Sequence, residues 1–248
     1  MLQRDLEGWT IVFDLDGTLV ETAPDLIGAL NRLLAQHDLP PAPLDDARIL
    51  VGRGTISLLK HGFERAGAAW DDTASDRLMQ AFVDDYLAHI ADESTAYPGA
   101  IEALDRLRRR GAILAVATNK PTDLALALFQ AMGLTDHFAA ICGPQSVSAR
   151  KPDAAHIRET VLQAGGDPRR AIMVGDSRTD ADAAAATGVP CILTGFGYSD
   201  CPVEELNAVC VIDHFDALEA AIAPLVAPLG GGDLTLATAR DAGYVPAS

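Results

Sequence analysis

The sequence predicts an α/β fold in which a parallel sheet carries helices on both faces, and three observations predict it. Short apolar runs rich in β-branched residues recur without polar alternation, as strands covered on both sides require. Stretches with apolar residues at i, i+3 and i+4 lie between them, the pattern of amphipathic helices. Runs and stretches take turns along the chain, which favours right-handed crossovers onto one sheet.

In chain order, "TIVFD" (10–14) reads as the first buried strand. Three helical patterns follow with no convincing strand from residue 23 to about 96. Residues 25–37 carry Leu26, Ile27, Leu30, Leu33 and Leu34; 55–66 carry Ile56, Leu59 and Phe63; 75–90 carry Leu78, Phe82, Val83, Tyr86, Leu87 and Ile90. A helix over 98–110, with Ile101, Leu104 and Leu107, has a basic last turn closed by Gly111. The strand "ILAVAT" (113–118) and a helix over 121–133, with Leu124, Leu128, Phe129 and Met132 on one stripe, come next. A helix over 156–164, the strand "AIMVGD" (171–176), a helix over 180–188 and the strands "PCILTG" (190–195) and "AVCVID" (208–213) complete the pattern. The break in rhythm predicts a small all-helical domain inserted after the first strand. The expected division is core over 1–20, helical cap over 21–96, core over 97–227 and a tail over 228–248, with hinges near 20–24 and 93–98. The tail "PLGGGDLTLATARDAGYVPAS" has a glycine run and little periodicity, so it reads as mobile or packed on a partner.

Composition narrows the function. A chain of 248 residues that is 49% hydrophobic can bury a substantial core. Its net charge of −16 argues against nucleic-acid binding, which needs clustered Lys and Arg. An anionic substrate would have to be held by a metal or a few basic side chains. The four cysteines form no C-x-x-C pair, there is no basic-then-apolar leader, and no apolar run approaches a bilayer span. The expectation is a cytoplasmic protein with no membrane contact, either monomer or homodimer.

The chemistry is expected at the carboxyl ends of the strands, where open α/β sheets bind ligands. Asp14 ends the first strand, with Asp16 one residue beyond; Thr118 and Asn119 end the second; Asp176 ends the third, with Asp180 four residues on; Lys151 sits in the loop before a helix. Parallel strands would bring all of these to one edge. Clustered carboxylates repel unless a cation lies among them, and oxygen-only ligands suit Mg²⁺. Asp14, Asp16, Asp176 and Asp180 are therefore the expected metal site, Asp180 as a ligand or as an orienter of one. Asp14 would also be the in-line nucleophile and Asp16 the acid and base. Gly17 allows a tight turn beside the phosphoryl group, which Thr18 and Asn119 would also face. Thr118 would donate to a phosphoryl oxygen and Lys151 would neutralise it. The histidines show no metal-ligand spacing, and His156 is expected to pack at a helix start.

"DLDGTLVET", "ATNKP", "ARKPDAAH" and "GDSRTD" resemble, in order, the four motifs of the haloacid dehalogenase-like hydrolase superfamily, over roughly residues 9–225. The resemblance implies a Rossmann-like core, Mg²⁺ and phosphoryl transfer through the first aspartate. "ATNKP", the cap stretch "LVGRGTISLLKHGF" and, more weakly, "TGFGYSD" are similar to the bacterial phosphoglycolate phosphatases within it. That likeness implies a Mg²⁺-dependent phosphatase of a small anionic phosphorylated metabolite, 2-phosphoglycolate, working through an aspartyl-phosphate. In "VGRG", Gly52 and Gly54 could bring backbone N–H groups to an anion, and Arg53 could pair with the substrate carboxylate.

Other readings stay open at this point. A sugar-phosphate mutase, or a phosphatase of sugar phosphates, nucleotides or pyrophosphate, would use the same residues. Asp16 disfavours a dehalogenase, which needs no such acid. Lys60, the one lysine of the cap, lies in no motif that would mark a phosphonoacetaldehyde hydrolase. A phospho-receiver is shorter and has no cap, and a silent binding protein would not need the full catalytic set.

Overall fold

The computed structural model describes residues 5–50 and 54–227. The strands are β1 (Thr10–Phe13), β2 (Val20–Glu21), β3 (Thr95–Ala96), β4 (Ile113–Ala117), β5 (Ala140–Cys142), β6 (Ala171–Gly175), β7 (Cys191–Thr194) and β8 (Cys210–Ile212). Six of them form one parallel sheet in the order β5-β4-β1-β6-β7-β8. The helices are α1 (Ala23–Ala35), α2 (Leu44–Leu50), α3 (Thr55–Arg65), α4 (Ser75–Ala88), α5 (Ala100–Arg109), α6 (Thr122–Ala131), α7 (Ala154–Gln163), α8 (Arg178–Thr187) and α9 (Leu218–Val226).

Every apolar run read as a strand forms one, because each feeds both faces of the sheet. Along β1, Ile11 and Phe13 pack into the cluster built by α5, α6 and α9, while Val12 packs into a second cluster with Ile157 and Val161 of α7 and Ala181 and Ala184 of α8. The pleat sends successive side chains to opposite sides, so a strand covered twice must be apolar throughout. The alanines of α8 let that helix lie close on β6 and β7.

Residues 23–88 hold only helices among the described residues, and α1 packs on α2, α3 and α4. Arg32 of α1 pairs with Asp85 of α4 at 2.7 Å. The two chain crossings between these helices and the sheet run side by side as an antiparallel ribbon, Val20 beside Ala96 and Glu21 beside Thr95. Buried Asp25 fastens the return crossing to α1: its carboxylate accepts the Ser94 N–H at 2.8 Å, the Ser94 hydroxyl at 2.6 Å and the Glu93 N–H at 3.0 Å.

The structure adds five elements to those expected from sequence. The expected absence of strands from residue 23 to about 96 is corrected by β3, which pairs with β2 just before that stretch, and a two-residue pairing leaves no periodic trace. β5 is three residues long and half-buried. α2 makes two turns, too few to show a period, and α9 carries Pro224 inside it. Gly52, Arg53 and the tail over 228–248 lie outside the described residues. No helix among those described is long and apolar enough to cross a membrane.

Candidate active site

β1 is the switch point of the sheet. After it the chain builds β4 and β5 on one side, then crosses to build β6, β7 and β8 on the other. The crevice at such a point is where open α/β sheets bind ligands. Asp14 follows β1, Thr118 follows β4 and Asp176 follows β6, so three adjacent strands deliver their next residues to one edge. The Asp14 N–H still donates to Val174 at 2.9 Å, which holds the acid in register with β6.

Asp14, Asp176 and Asp180 each bring a carboxylate oxygen within 4.8 Å of the others. Lys151, fully buried, bonds Asp14 Oδ1 at 2.9 Å and Asp180 Oδ1 at 2.6 Å. Burial pushes the Asp14 carboxyl up to about 6 against the pull of Lys151, and the charges of Asp180 and Asp16 add to the push. Burial, then Asp180 and Asp14, raise Asp176 well above the usual carboxylate range. One ammonium does not neutralise this many acids.

The acids have different partners. Asp14 accepts both its bonds on Oδ1, the second from the Leu15 N–H at 2.7 Å, which leaves Oδ2 open. Asp176 is held by the Thr18 hydroxyl on Oδ1 at 2.9 Å and by the Tyr198 N–H on Oδ2 at 2.6 Å. Asp180 closes a capping box with Ser177 at the start of α8, its Oδ2 accepting the Ser177 hydroxyl at 2.7 Å and the Asp176 and Ser177 N–H groups. Asp16 stands apart from the cluster: its Oδ1 accepts the Thr22 hydroxyl at 2.6 Å and the Lys120 ammonium at 3.0 Å.

Glycine matters at two positions here. Gly17 has φ +83°, and a Cβ there would lie 2.5 Å from Asp176 Oδ2 and 2.8 Å from the Tyr198 ring. Gly175 ends β6, and its Cβ would lie 2.4 Å from Asp180 Cβ.

Lys151 is fixed through its own peptide. The Asn119 side chain donates to the Lys151 carbonyl at 3.0 Å and accepts the Lys151 N–H at 3.0 Å. His156 Nδ1 accepts the same N–H at 3.0 Å, and its Nε2 lies 3.1 Å from the Cys142 carbonyl, so the ring is neutral with the proton on Nε2. Burial, then the Lys151 charge, push His156 down to about 4. Thr118 Oγ1 accepts the Lys120 N–H at 3.1 Å, which leaves its own proton free to be donated.

A cavity of about 490 Å³ opens above these groups. Asp14, Asp16, Thr118, Asn119 and Asp176 floor it, Gly54 to Ile56 of the α3 start and Met79, Phe82 and Tyr86 of α4 roof it, and Arg150 and Gln145 stand at one side. Of the residues expected at the site, Asp14, Asp16, Thr118, Asn119, Gly54 and Asp176 line this cavity. Lys151 and Asp180 meet beside it, while Gly17 and Thr18 pack beneath Asp176. Sequence reasoning did not single out Lys120, Tyr198 or Arg150. Lys120 lies inside the quoted "ATNKP" and Tyr198 inside "TGFGYSD", but neither motif says where its side chain points. Buried Lys120 sits 4.7 Å from the Tyr86 ring centroid; burial works against its charge, but Asp16 and then Tyr86 outweigh it and hold the ammonium above the ordinary lysine range.

The family pattern described as haloacid dehalogenase-like hydrolase matches residues 11–194. A phosphoglycolate phosphatase of Caulobacter vibrioides is 52% identical over 212 residues, covering 86% of this chain and 90% of that protein. One from Mesorhizobium japonicum is 46% identical, covering 86% of this chain and 94% of that protein. The crystal structure of a predicted phosphoglycolate phosphatase from Haemophilus somnus 129PT superposes with a TM-score of 0.79 at 28% identity, over 86% of this chain and 96% of that one. With that pattern spanning most of the chain and relatives about half identical over nearly their whole length, the chain belongs to the haloacid dehalogenase-like hydrolases.

Proposed function

We propose that the chain is a Mg²⁺-dependent phosphatase that hydrolyses 2-phosphoglycolate through an aspartyl-phosphate on Asp14. One observation carries the chemistry: the Lys151 ammonium bridges Asp14 and Asp180, with Asp176 in the same cluster, beside a cavity that Asp14 and Asp176 line. The names of the similar proteins supply the substrate.

The donor set fits Mg²⁺. Asp14 and Asp176 are raised carboxyls in an all-oxygen cluster with too little positive charge, the setting that favours a hard cation. Asp14 and Asp176 would hold it. Asp180, bonded to Lys151, Ser177 and two backbone N–H groups, serves as the orienter of that lysine and of the α8 start. Bound there, Mg²⁺ would offset the negative charge between the attacking carboxylate and the phosphoryl oxygens.

The residues divide the rest of the work. Asp14 Oδ2 attacks phosphorus as the bond to the glycolate oxygen breaks, and Asp16 Oδ2 delivers a proton to that oxygen. Water then attacks the aspartyl-phosphate with Asp16 taking its proton, which releases phosphate and restores Asp14. Lys151 and the Thr118 hydroxyl stabilise the phosphoryl oxygens, and Asn119 acts by holding the Lys151 peptide. The helices over 23–88 act as the cap that covers the cavity, with the 20–24 and 93–98 crossings as its hinges and Gly54 at its roof. The four cysteines are free, as a reducing cytoplasm keeps them, and we place the enzyme there.

Phosphate release from a panel of small phosphomonoesters, with Mg²⁺ and with EDTA, tests both halves. The expected result is metal-dependent turnover with a clear preference for 2-phosphoglycolate. Equal turnover of sugar phosphates or nucleotides overturns the substrate, and full activity in EDTA overturns the metal.

A further inference from the structure

We infer that Tyr198 is a positioning residue that ties the first chain crossing, Glu21 to Ala23, to the carboxylate of Asp176. The inference rests on the reading of Asp176 as a metal ligand.

Three observations meet in this one residue. First, its backbone N–H donates to Asp176 Oδ2 at 2.6 Å, so the loop that carries Tyr198 sets one of the two bonds that orient this acid. Second, its hydroxyl accepts the Thr22 N–H at 2.8 Å and the Ala23 N–H at 3.0 Å. These are N–H groups at the start of α1, which have no partner inside the helix. Thr22 stands at the N-cap yet makes no cap bond, because its hydroxyl is bonded to Asp16. The Tyr198 hydroxyl takes the place of that cap from across the molecule. Third, the hydroxyl gives its own proton to Glu21 Oε1 at 2.5 Å, which leaves both lone pairs for the two N–H groups.

Glu21 extends the tie. Its Oε2 accepts from Arg48 of α2 at 3.2 Å and from the Tyr97 hydroxyl of the return crossing at 3.4 Å. One carboxylate therefore joins both crossings, a cap helix and Tyr198. The ring of Tyr198 packs against Gly17, whose Cβ would overlap it, so the loop cannot shift without disturbing the turn after Asp14. A tyrosine buried for packing alone needs one partner for its hydroxyl. This hydroxyl makes three bonds, all to the segment Glu21–Ala23, while its backbone holds the acid.

Tyr198→Phe keeps the ring and deletes the tie. Calorimetric titration of the full chain with Mg²⁺ alone reads the effect without turnover. The expected result is a dissociation constant about tenfold weaker than wild type, the size seen when groups that orient a ligand are lost. Ile222→Val in α9, buried and remote from the site, serves as the comparison of similar stability loss and should bind Mg²⁺ as wild type does. Should Tyr198→Phe not fold, Glu21→Gln keeps the phenol but removes the charge that receives its proton, and is expected to weaken Mg²⁺ in the same direction by a smaller factor. Wild-type affinity in a folded variant of either kind, or equal weakening in Ile222→Val, overturns the tie while leaving the metal site intact. A wild-type chain that binds no Mg²⁺ instead overturns the metal reading and the tie with it.

Discussion

At the scale of single residues, the site works by giving chemically identical carboxylates different neighbours. Asp14 meets Lys151 on one oxygen and keeps the other open, whereas Asp16 turns away to Thr22 and Lys120. Asp14→Asn is expected to cut turnover by about 10⁴-fold or more while the far-ultraviolet circular dichroism stays native, because the nucleophile and its charge act as a unit with the other groups. Residual activity near wild type would remove Asp14 as nucleophile. His156 supplies a pH dependence. Its folded value of about 4 lies below the ordinary histidine value, so its contribution to stability is complete above about 6.5 and is lost as pH falls toward 4. The loss amounts to at most about 3 kcal/mol. Urea midpoints at pH 7 and pH 4.5 should show wild type losing more stability than His156→Gln, whose amide does not titrate. Asp14, Thr118 and Asp176 were legible in the sequence because each ends an apolar run with a polar group, and Lys151 because it stands in the motif "ARKPDAAH". Lys120 and Tyr198 were not, because their value lies in contacts with residues far away in the chain, Asp16 for one and Thr22 for the other.

At the scale of elements, the strand ends and the start of α8 make the site rigid. α8 begins with a capping box whose acid is also the anchor of Lys151, so a helix start and an ammonium are held by one side chain. Gly175 allows this by letting Asp180 lie against the end of β6. Gly175→Ala would force Asp180 from a position 2.4 Å from the new methyl group. The expected result is a loss of about 1–3 kcal/mol in stability together with a fall in kcat of about tenfold or more, since Lys151 loses its second anchor. A wild-type kcat in the purified variant would show that α8 can retreat without moving Lys151. The helices that the sequence announced are long enough to show a period, and the strands it announced stand out as unbroken apolar runs. Those it hid are short, like α2 and β5, or interrupted, like α9. The paired strands β2 and β3 are defined only by each other, so no local window contains them.

At the scale of the whole molecule, a sheet edge of like charges sits in a chain of net charge −16. Mg²⁺ held by the folded cluster would find no such cluster in the unfolded chain, so it should raise Tm with concentration by mass action. Millimolar Mg²⁺ is expected to lift Tm by several degrees over EDTA in differential scanning calorimetry, and Asp14→Asn should show a smaller lift. An unchanged Tm would argue against a metal at these acids. The central place of β1 has one more consequence, for the order of assembly. Thr10 lies beside Ile113 on one side and Ala171 on the other. β1 is therefore flanked by partners that leave the ribosome much later than it does. Contacts of such separation close slowly, because the long intervening loop must be ordered first. The helices over 23–88 pack mainly on one another and have no such wait. A nascent chain that ends before β6 holds Asp14 without Asp176, and so the acids whose mutual repulsion calls for a cation meet only when most of the sheet is already in place.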